Sequence, residues 1–456
     1  MGKVLLLNPP GKRLYLRDQH CSTVSKASYY WPPIDLLMQS GILSAEHEVA
    51  VLDALIERIN DAVALEKIRK FKPDCIVFIT GISSWLEDFI FMQKAKEITG
   101  AVLIGSGGVL RERCKEIMEQ HPFLDAVLMD FTSDSLLGYL KGKEDLYDIC
   151  LRRGDEIVLK PPQKLKEFSV PVPLHELFPL NKYRIPHGRQ RPFTSMLTNY
   201  GCPYQCSYCI AERLDFKYRP WENIVPELEK LDCLGIREIF FKDFTFGIPA
   251  GVARRICEEM ISRFHGFSWV CASRVNVLDE DMLKLMKRAG CHTIQFGVES
   301  ASQQILDHNN KDVRVEEIVS MFELCSRLRI KTLAHFVLGL PGETEETLKQ
   351  TIELAKKIRC DYASFNVAIP LPGTTLRERC LENGWLAGEE EELDPSRGYP
   401  VIETSLLSRE KLWKLRNYAI YSFYLRPSYI LRMLANVRSP QDLIDLCKQG
   451  VSLLSN

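Results

Sequence analysis

The sequence carries almost no net charge, no apolar run of membrane-spanning length and no tract of low complexity. Lys plus Arg total 59 against 60 for Asp plus Glu, a formal net charge of −1 over 456 residues. That balance removes the global electrostatic case for a nucleic-acid binder and leaves only a local basic groove open. No stretch approaches the roughly 20 apolar residues that a transmembrane helix needs. The opening MGKVLLLNPP holds an apolar run too short for a signal sequence, and Pro9 and Pro10 stop it. No secretory leader is expected, and the expected compartment is the cytoplasm. A disulfide framework is also missing. The fifteen cysteines are scattered at irregular intervals, which fits reduced thiols better than paired ones. With 46% hydrophobic and 26% charged residues, the chain has ordinary globular composition, and its length argues for two or three domains with sizeable cores.

What the chain does have is alternation. KVLLLN, HEVAVLDA, PDCIVFITGIS, AVLIGSGG and LDAVLMDF read as strands, separated by helix-length amphipathic segments such as DAVALEKIRKF. Short apolar runs spaced this way predict a parallel sheet covered by helices on both faces. A doubly wound, Rossmann-like α/β domain is expected over residues 1–140, with its ligand site at the carboxyl ends of the strands. Residues 141–192 are rich in Pro and basic side chains and read as an extended connector. From Phe193 the alternation restarts: FTSMLTN, REIFFKD, SWVCAS, HTIQFGV, KTLAHFVL and YASFNVAI. Six strand–helix units predict a partial β/α barrel over 193–384 with its site at the strands' carboxyl ends. Residues 385–456 change character, with an acidic GEEEELD loop and then a helical, aromatic tail broken at Pro427. That tail is read as closing the barrel, with peripheral membrane contact as the disfavoured alternative.

The stretch NYGCPYQCSYC places Cys202, Cys206 and Cys209 directly after the first barrel strand. Three thiolates on one loop occupy three corners of a metal site. Structural zinc wants four ligands, usually as two separated pairs, and no second close pair occurs in the sequence. Cuboidal iron–sulfur clusters also usually take four, so three ligands leave one iron open to a substrate or cofactor.

This CxxxCxxC motif after a first barrel strand resembles the radical S-adenosylmethionine (SAM) superfamily. The resemblance implies that the three cysteines hold a 4Fe–4S cluster and that SAM chelates the open iron. It further implies that an electron from the cluster cleaves the sulfonium, giving a radical that abstracts hydrogen from an unactivated carbon, with the protein supplying positioning and exclusion of water. A flavodoxin, ferredoxin or reductase would be the electron donor. The implied SAM contacts lie at the strand ends: Tyr208 before the third cysteine, Asp243 and Thr245, Ser273 and Arg274, Glu299 and Ser300, Gly339 and Leu371. Arg suits a bidentate carboxylate contact, although a rim salt bridge is the alternative for Arg274. Gly339 with Gly342 would let backbone approach a ligand closely.

The N-terminal half is similar to the cobalamin-binding domain of the cobalamin-dependent branch of that superfamily, in NPP, WPPIDLLMQSGIL and KPDCIVFITGISS, as is the tail phrase YSFYLRPSYIL. The resemblance implies bound cobalamin near Asn8, Pro9, Asp53, Ser83, Ser84, Gly107 and Gly108. The Asp-x-His-x-x-Gly signature of classical cobalamin enzymes is absent, which argues against a histidine-ligated cobalt. The loop from Gly11 to Trp31 is long for a strand–helix connection. With Arg17, Asp18, His20 and Cys21 it is read as a lid or substrate-facing element. The leading expectation is a cobalamin-dependent methyltransferase. Behind it stand a cobalamin-independent radical dehydratase, cyclase or carbon–carbon coupling enzyme, then a methylthiotransferase or a non-enzymatic iron–sulfur protein. Nothing in the sequence selects a substrate or a catalytic residue.

Overall fold

Apolar runs of four to nine residues become strands, and the chain folds around two parallel sheets. The computed structural model describes residues 2–19, 21–25, 29–185, 187–387, 393–394, 398–435 and 450. The first part supplies β1 (Lys3–Asn8), β2 (Tyr15–Asp18), β3 (Cys21–Val24), β4 (Glu48–Asp53), β5 (Cys75–Ile79), β6 (Val102–Ser106), β7 (Ala126–Leu128), β8 (Ile149–Arg153) and β9 (Glu156–Leu159). Seven of these form one sheet in the order β4-β1-β5-β6-β7-β8-β9. The five strands β4 to β7 in that order are parallel. Their order reverses at β1, the kind of switch point where doubly wound sheets bind ligands.

Two hairpins depart from the sequence expectation. β8 pairs antiparallel with β7, and β9 with β8, so the segment expected to open an extended connector instead finishes the first sheet. Beyond it the described residues before Phe193 form two short 3-10 turns, His175–Leu177 and Leu180–Lys182, and the carbonyls of Pro171 and Val172 press against Gly41. The second hairpin, β2 with β3, lies inside the long loop after β1. It is largely buried rather than a solvated lid, and Arg17 at its centre is 1% exposed.

The second part supplies β10 (Phe193–Met196), β11 (Asn199–Tyr200), β12 (Lys217–Tyr218), β13 (Glu238–Phe241), β14 (Ser268–Ser273), β15 (Cys291–Glu299), β16 (Lys331–Leu338) and β17 (Tyr362–Val367). Six form a parallel sheet in strictly sequential order, β10-β13-β14-β15-β16-β17. β10 and β17 share no ladder, which makes this a partial barrel. β16 and β17 alternate strictly between half-buried and buried positions. The buried set joins the helices outside, and the half-buried set faces the other side of the sheet.

The helix Ile34–Ser44 is buried at ten of its eleven residues. It packs on the first sheet while its side chains share one continuous apolar cluster with the barrel, from Leu6 and Leu37 through Phe193 to Trp269. The tail helices Arg409–Tyr424 and Pro427–Ala435 split at the proline, as the sequence suggests. Tyr424 donates to the Ala363 carbonyl at 2.6 Å and Tyr429 to the Asp361 carbonyl at 3.1 Å, so these helices cover the last barrel strand. The described part of 385–408 is not helical; Leu386 bridges Ile402 instead. Among the described residues no helix is long and apolar enough to cross a membrane.

Candidate active site

β10 ends at Met196 and the chain turns at once into the cysteine loop. Asp243, just after β13, builds that turn. Its buried carboxylate accepts from the Thr198 amide at 2.7 Å, the Asn199 amide at 3.1 Å and the Thr198 hydroxyl. Burial lifts its pKa to about 6. With three protein donors, Asp243 holds backbone; it is not left open for a ligand's amino group. Asn199 donates onward to the carbonyls of Thr245 and Ile248 at 3.0 and 3.2 Å. β11 and β12 then pair antiparallel, Asn199 opposite Tyr218, closing the base of the loop.

The far side of the loop is stapled to two other barrel strands. Ser207 donates its amide to the Asn309 carbonyl at 3.1 Å and its hydroxyl to Asn309 Oδ1 at 3.0 Å. The Leu376 amide donates to the Ser207 carbonyl at 2.7 Å, and the Thr375 hydroxyl to Glu212 at 2.6 Å. Asn309 caps the short helix Gln303–His308 after β15, and Thr375 opens the helix Thr375–Glu382 after β17, so the segments that follow two other strands fix the loop. No local motif in the sequence announces either residue.

The thiols differ in their surroundings. Arg274 Nη1 donates to Cys206 Sγ at 3.3 Å, and its guanidinium lies over the Tyr204 ring at 3.7 Å. Its Nη2 donates to the carbonyls of Lys311 and Asp312. Arg274 is therefore committed to the cysteine loop, which is neither the carboxylate contact nor the rim salt bridge expected of it. Cys202 Sγ lies 3.5 Å from the Thr245 hydroxyl. Burial, then the neighbouring Cys206, push the Cys209 thiol up to about 12, so it ionises near neutral pH only against a bound cation. Among the described residues no three His, Cys, Asp or Glu side chains converge on a point that one metal ion would fill. Three cysteine thiols on one loop are a donor set that can hold three corners of a polynuclear cluster, each binding a different metal atom.

Beside the thiols sit a buried hydroxyl and an ion-paired carboxylate. The Tyr208 hydroxyl is buried with no hydrogen-bond partner, and burial followed by the nearby Glu299 carboxylate raises its pKa. Glu299 has φ +65° and accepts from Lys311 Nζ at 2.7 Å. That conformation folds its carboxylate back over Gly297, where a Cβ would come within 2.4 Å of Glu299 Oε1. Leu371 packs half-buried in the same apolar cluster as Tyr208 and Val337.

Other expected contacts are spent on the fold. Ser273 donates to the Phe246 carbonyl at 2.7 Å. Ser300 donates to Glu343 at 3.4 Å, and Glu343 accepts from the Gly339 and Leu340 amides. Gly339 has φ +88°, but the space in front of it holds Leu412 of the tail, within 2.4 Å of where a Cβ would sit. It admits a helix, not a ligand.

At the first sheet the pattern repeats. Arg17 and Asp88 form an ion pair at 2.6 Å with both side chains fully buried. Arg17 also donates to Asn8 Oδ1 and the Pro9 carbonyl, both at 2.8 Å, and to Ser84 at 3.1 Å. Asp53 accepts from Asn8 and the Tyr183 hydroxyl, both at 2.9 Å, and caps its helix at the Ile56 amide. Asn8, Asp53, Ser84 and Arg17 thus satisfy one another. Ser83 reaches the Leu393 carbonyl at 3.3 Å, and Gly107 packs on the Thr80 carbonyl, whereas Gly108 has no atom within 4 Å of where a side chain would stand. Cys21 pairs with Asp18 across the hairpin, and His20 lies outside the described residues.

Comparisons with known proteins agree with this geometry. Residues 196–355 match the family model described as the radical SAM superfamily. The chain is 32% identical over 421 residues to an uncharacterised methyltransferase of Pyrococcus horikoshii, covering 88% of this chain and 89% of that one. Its fold is similar to that of TsrM, a radical S-adenosylmethionine methyltransferase from Kitasatospora setae with cobalamin and a 4Fe–4S cluster bound, at TM-score 0.68 and 18% identity, covering 85% of this chain and 79% of TsrM. It is also similar to OxsB, a cobalamin-dependent S-adenosylmethionine radical enzyme, at TM-score 0.70 and 15% identity, covering 99% of this chain and 72% of OxsB.

Proposed function

The chain belongs to the radical SAM superfamily, and from that premise we propose that it is a cobalamin-dependent methyltransferase acting on an unactivated carbon. The observation that carries the reading is the cysteine loop, pinned at the carboxyl mouth of the barrel and joined to a doubly wound sheet by a buried hairpin. The relative at 32% identity bears a methyltransferase name over nearly its whole length, which supports methyl transfer over the other radical chemistries.

When bound, a 4Fe–4S cluster with SAM supplies one-electron reduction and hydrogen abstraction, and cobalamin supplies a transferable methyl group. The residues of this chain do the holding. Cys202, Cys206 and Cys209 are the cluster ligands. Arg274 orients Cys206 and balances thiolate charge from a buried position. The Tyr208 hydroxyl and the Glu299 carboxylate would face bound SAM, and Val337 and Leu371 would supply an apolar wall for its adenine. Cobalamin would be held at the carboxyl end of the first sheet, where Gly108 leaves room and the β2–β3 hairpin carries buried polar atoms without hydrogen bonds. The electron donor is a flavodoxin-, ferredoxin- or reductase-type partner, and the compartment is the cytoplasm.

A second reading, a cobalamin-free cyclase, dehydratase or coupling enzyme, draws on the way Asn8, Asp53 and Ser84 satisfy each other. Anaerobic reconstitution with iron, sulfide and hydroxocobalamin separates the two. Under dithionite, release of methionine from SAM with cobalamin retained through gel filtration supports the methyltransferase. Methionine release without cobalamin retention overturns it in favour of the second reading.

A further inference from the structure

The β2–β3 hairpin ends in two neighbouring polar side chains that the protein leaves half-satisfied. Asp18 is 2% exposed and Gln19 6%. Asp18 Oδ2 accepts from Trp31 Nε1 at 2.5 Å. Its Oδ1 has no hydrogen bond, and Lys242 Nζ stands 3.5 Å away. Gln19 Oε1 accepts from the Tyr200 hydroxyl at 3.3 Å, and the Gln19 amide donates to Asp35 at 3.2 Å. Gln19 Nε2 has no partner. The hairpin also brings Ser22 close against Gly81, and the Ser22 hydroxyl is likewise unpartnered. A buried polar atom without a partner is destabilising, so two such atoms of opposite type on consecutive residues point to a missing group.

The location narrows what that group is. Asp35, which holds the Gln19 amide, also accepts from Ser106 at the carboxyl end of β6. Tyr200, which holds the Gln19 side chain, is two residues before Cys202. Gln19 therefore spans from the ligand edge of the first sheet to the root of the cysteine loop. An acceptor and a donor on consecutive residues match the chemistry of a primary carboxamide, which offers both N–H and C=O. We propose that Asp18 Oδ1 and Gln19 Nε2 together bind a carboxamide on the rim of the corrin ring. The inference rests on the cobalamin reading above, and it assigns the corrin's orientation between sheet and barrel to the hairpin.

The test titrates hydroxocobalamin, and separately cobinamide, into wild type, Gln19→Met and Asp18→Asn, with retention through gel filtration read by corrin absorbance. Cobinamide keeps the ring carboxamides and lacks the nucleotide tail. Gln19→Met removes the orphan donor at similar volume, together with the acceptor of the Tyr200 hydroxyl, and Asp18→Asn turns the orphan acceptor into a donor. Each variant should bind both corrinoids about fivefold to tenfold more weakly, the size expected of one buried hydrogen bond. The melting temperature of ligand-free Gln19→Met should fall no further than that of Tyr200→Phe, which breaks the same Tyr200–Gln19 hydrogen bond, because Nε2 has no protein partner to lose. Equal affinity across the three proteins overturns the inference and leaves the cobalamin reading standing. Weakened cobalamin with unchanged cobinamide overturns the corrin assignment in favour of the tail. No binding by wild type overturns the cobalamin reading itself, and this inference with it.

Discussion

Arg274 donates to the sulfur of Cys206 at 3.3 Å while its guanidinium covers the ring of Tyr204. One side chain thus touches a proposed cluster ligand and clamps the loop that carries it. Arg274→Met should keep the stacking volume and lose the charge-assisted bond, worth roughly 1.5–3 kcal/mol. Iron release from reconstituted protein, followed with a chelator, should speed up about tenfold. Unchanged release would make Arg274 a packing residue only.

The three cysteines should be indispensable individually. Cys206→Ala is expected to abolish the thiolate-to-iron absorbance and bring SAM cleavage under dithionite to background, while the circular dichroism spectrum stays that of wild type. Retained absorbance at full iron content would mean that the cluster is ligated elsewhere.

Tyr208→Phe separates binding from folding. Its hydroxyl makes no hydrogen bond to a protein nitrogen or oxygen and lies beside the Cys206 thiol, so removing it should leave the melting temperature within about two degrees, since at most a weak sulfur contact is lost. SAM affinity of the reconstituted protein, by equilibrium dialysis, should fall about fivefold or more. A large thermal penalty with unchanged affinity would count against a ligand-facing hydroxyl.

Arg17 and Asp88 form the most buried ion pair at the first sheet, and breaking it from one side leaves a lone charge. Arg17→Met should cost about 3–5 kcal/mol of stability. Replacing both partners, Arg17→Met with Asp88→Leu, should cost less than the single change, because no unpaired charge remains. Chemical denaturation of the three proteins measures the difference, and a double mutant worse than the single one would refute it.

Glu343 gives the protein a pH signature. Burial raises its pKa from the ordinary 4.5 to about 8, so between those values the folded state binds a proton that the unfolded state has released. Its contribution to stability is complete below about pH 4.5 and is lost progressively as pH rises toward 8. Glu343→Gln keeps an acceptor for the Gly339 amide and removes the titration. Its stability should therefore decline less steeply across that window than wild type, by up to about 1.4 kcal/mol per pH unit. Parallel pH profiles would contradict the assignment.

The strands were readable because hydrophobic periodicity is local. KVLLLN, PDCIVFI and the six barrel segments fold where their apolar runs say. β2 and β8 were not, since YLRD and ICLRR carry polar residues whose burial is settled by partners far along the chain: Asp88 for Arg17, and the Met118 and Leu124 carbonyls for Arg152. At the site, the cysteine spacing is a local signal and Tyr208 travels with it. The partners of Asp243, Arg274 and Ser273 are not, because each contact spans at least 27 residues. Residue type placed them correctly at the mouth, but could not tell a ligand contact from a backbone staple. Lys311 and Asn309 had no sequence signal, since each acts only through where β15 delivers it.

The hairpin from Tyr15 to Val24 belongs by chain order to the first sheet and by contact to both halves, through Arg17 on one side and Asp18 and Gln19 on the other. Modular shuffling is therefore closed to this architecture. A barrel grafted onto a foreign nucleotide-fold partner would arrive with a hole where the wedge had been, so the two halves can diversify only in step.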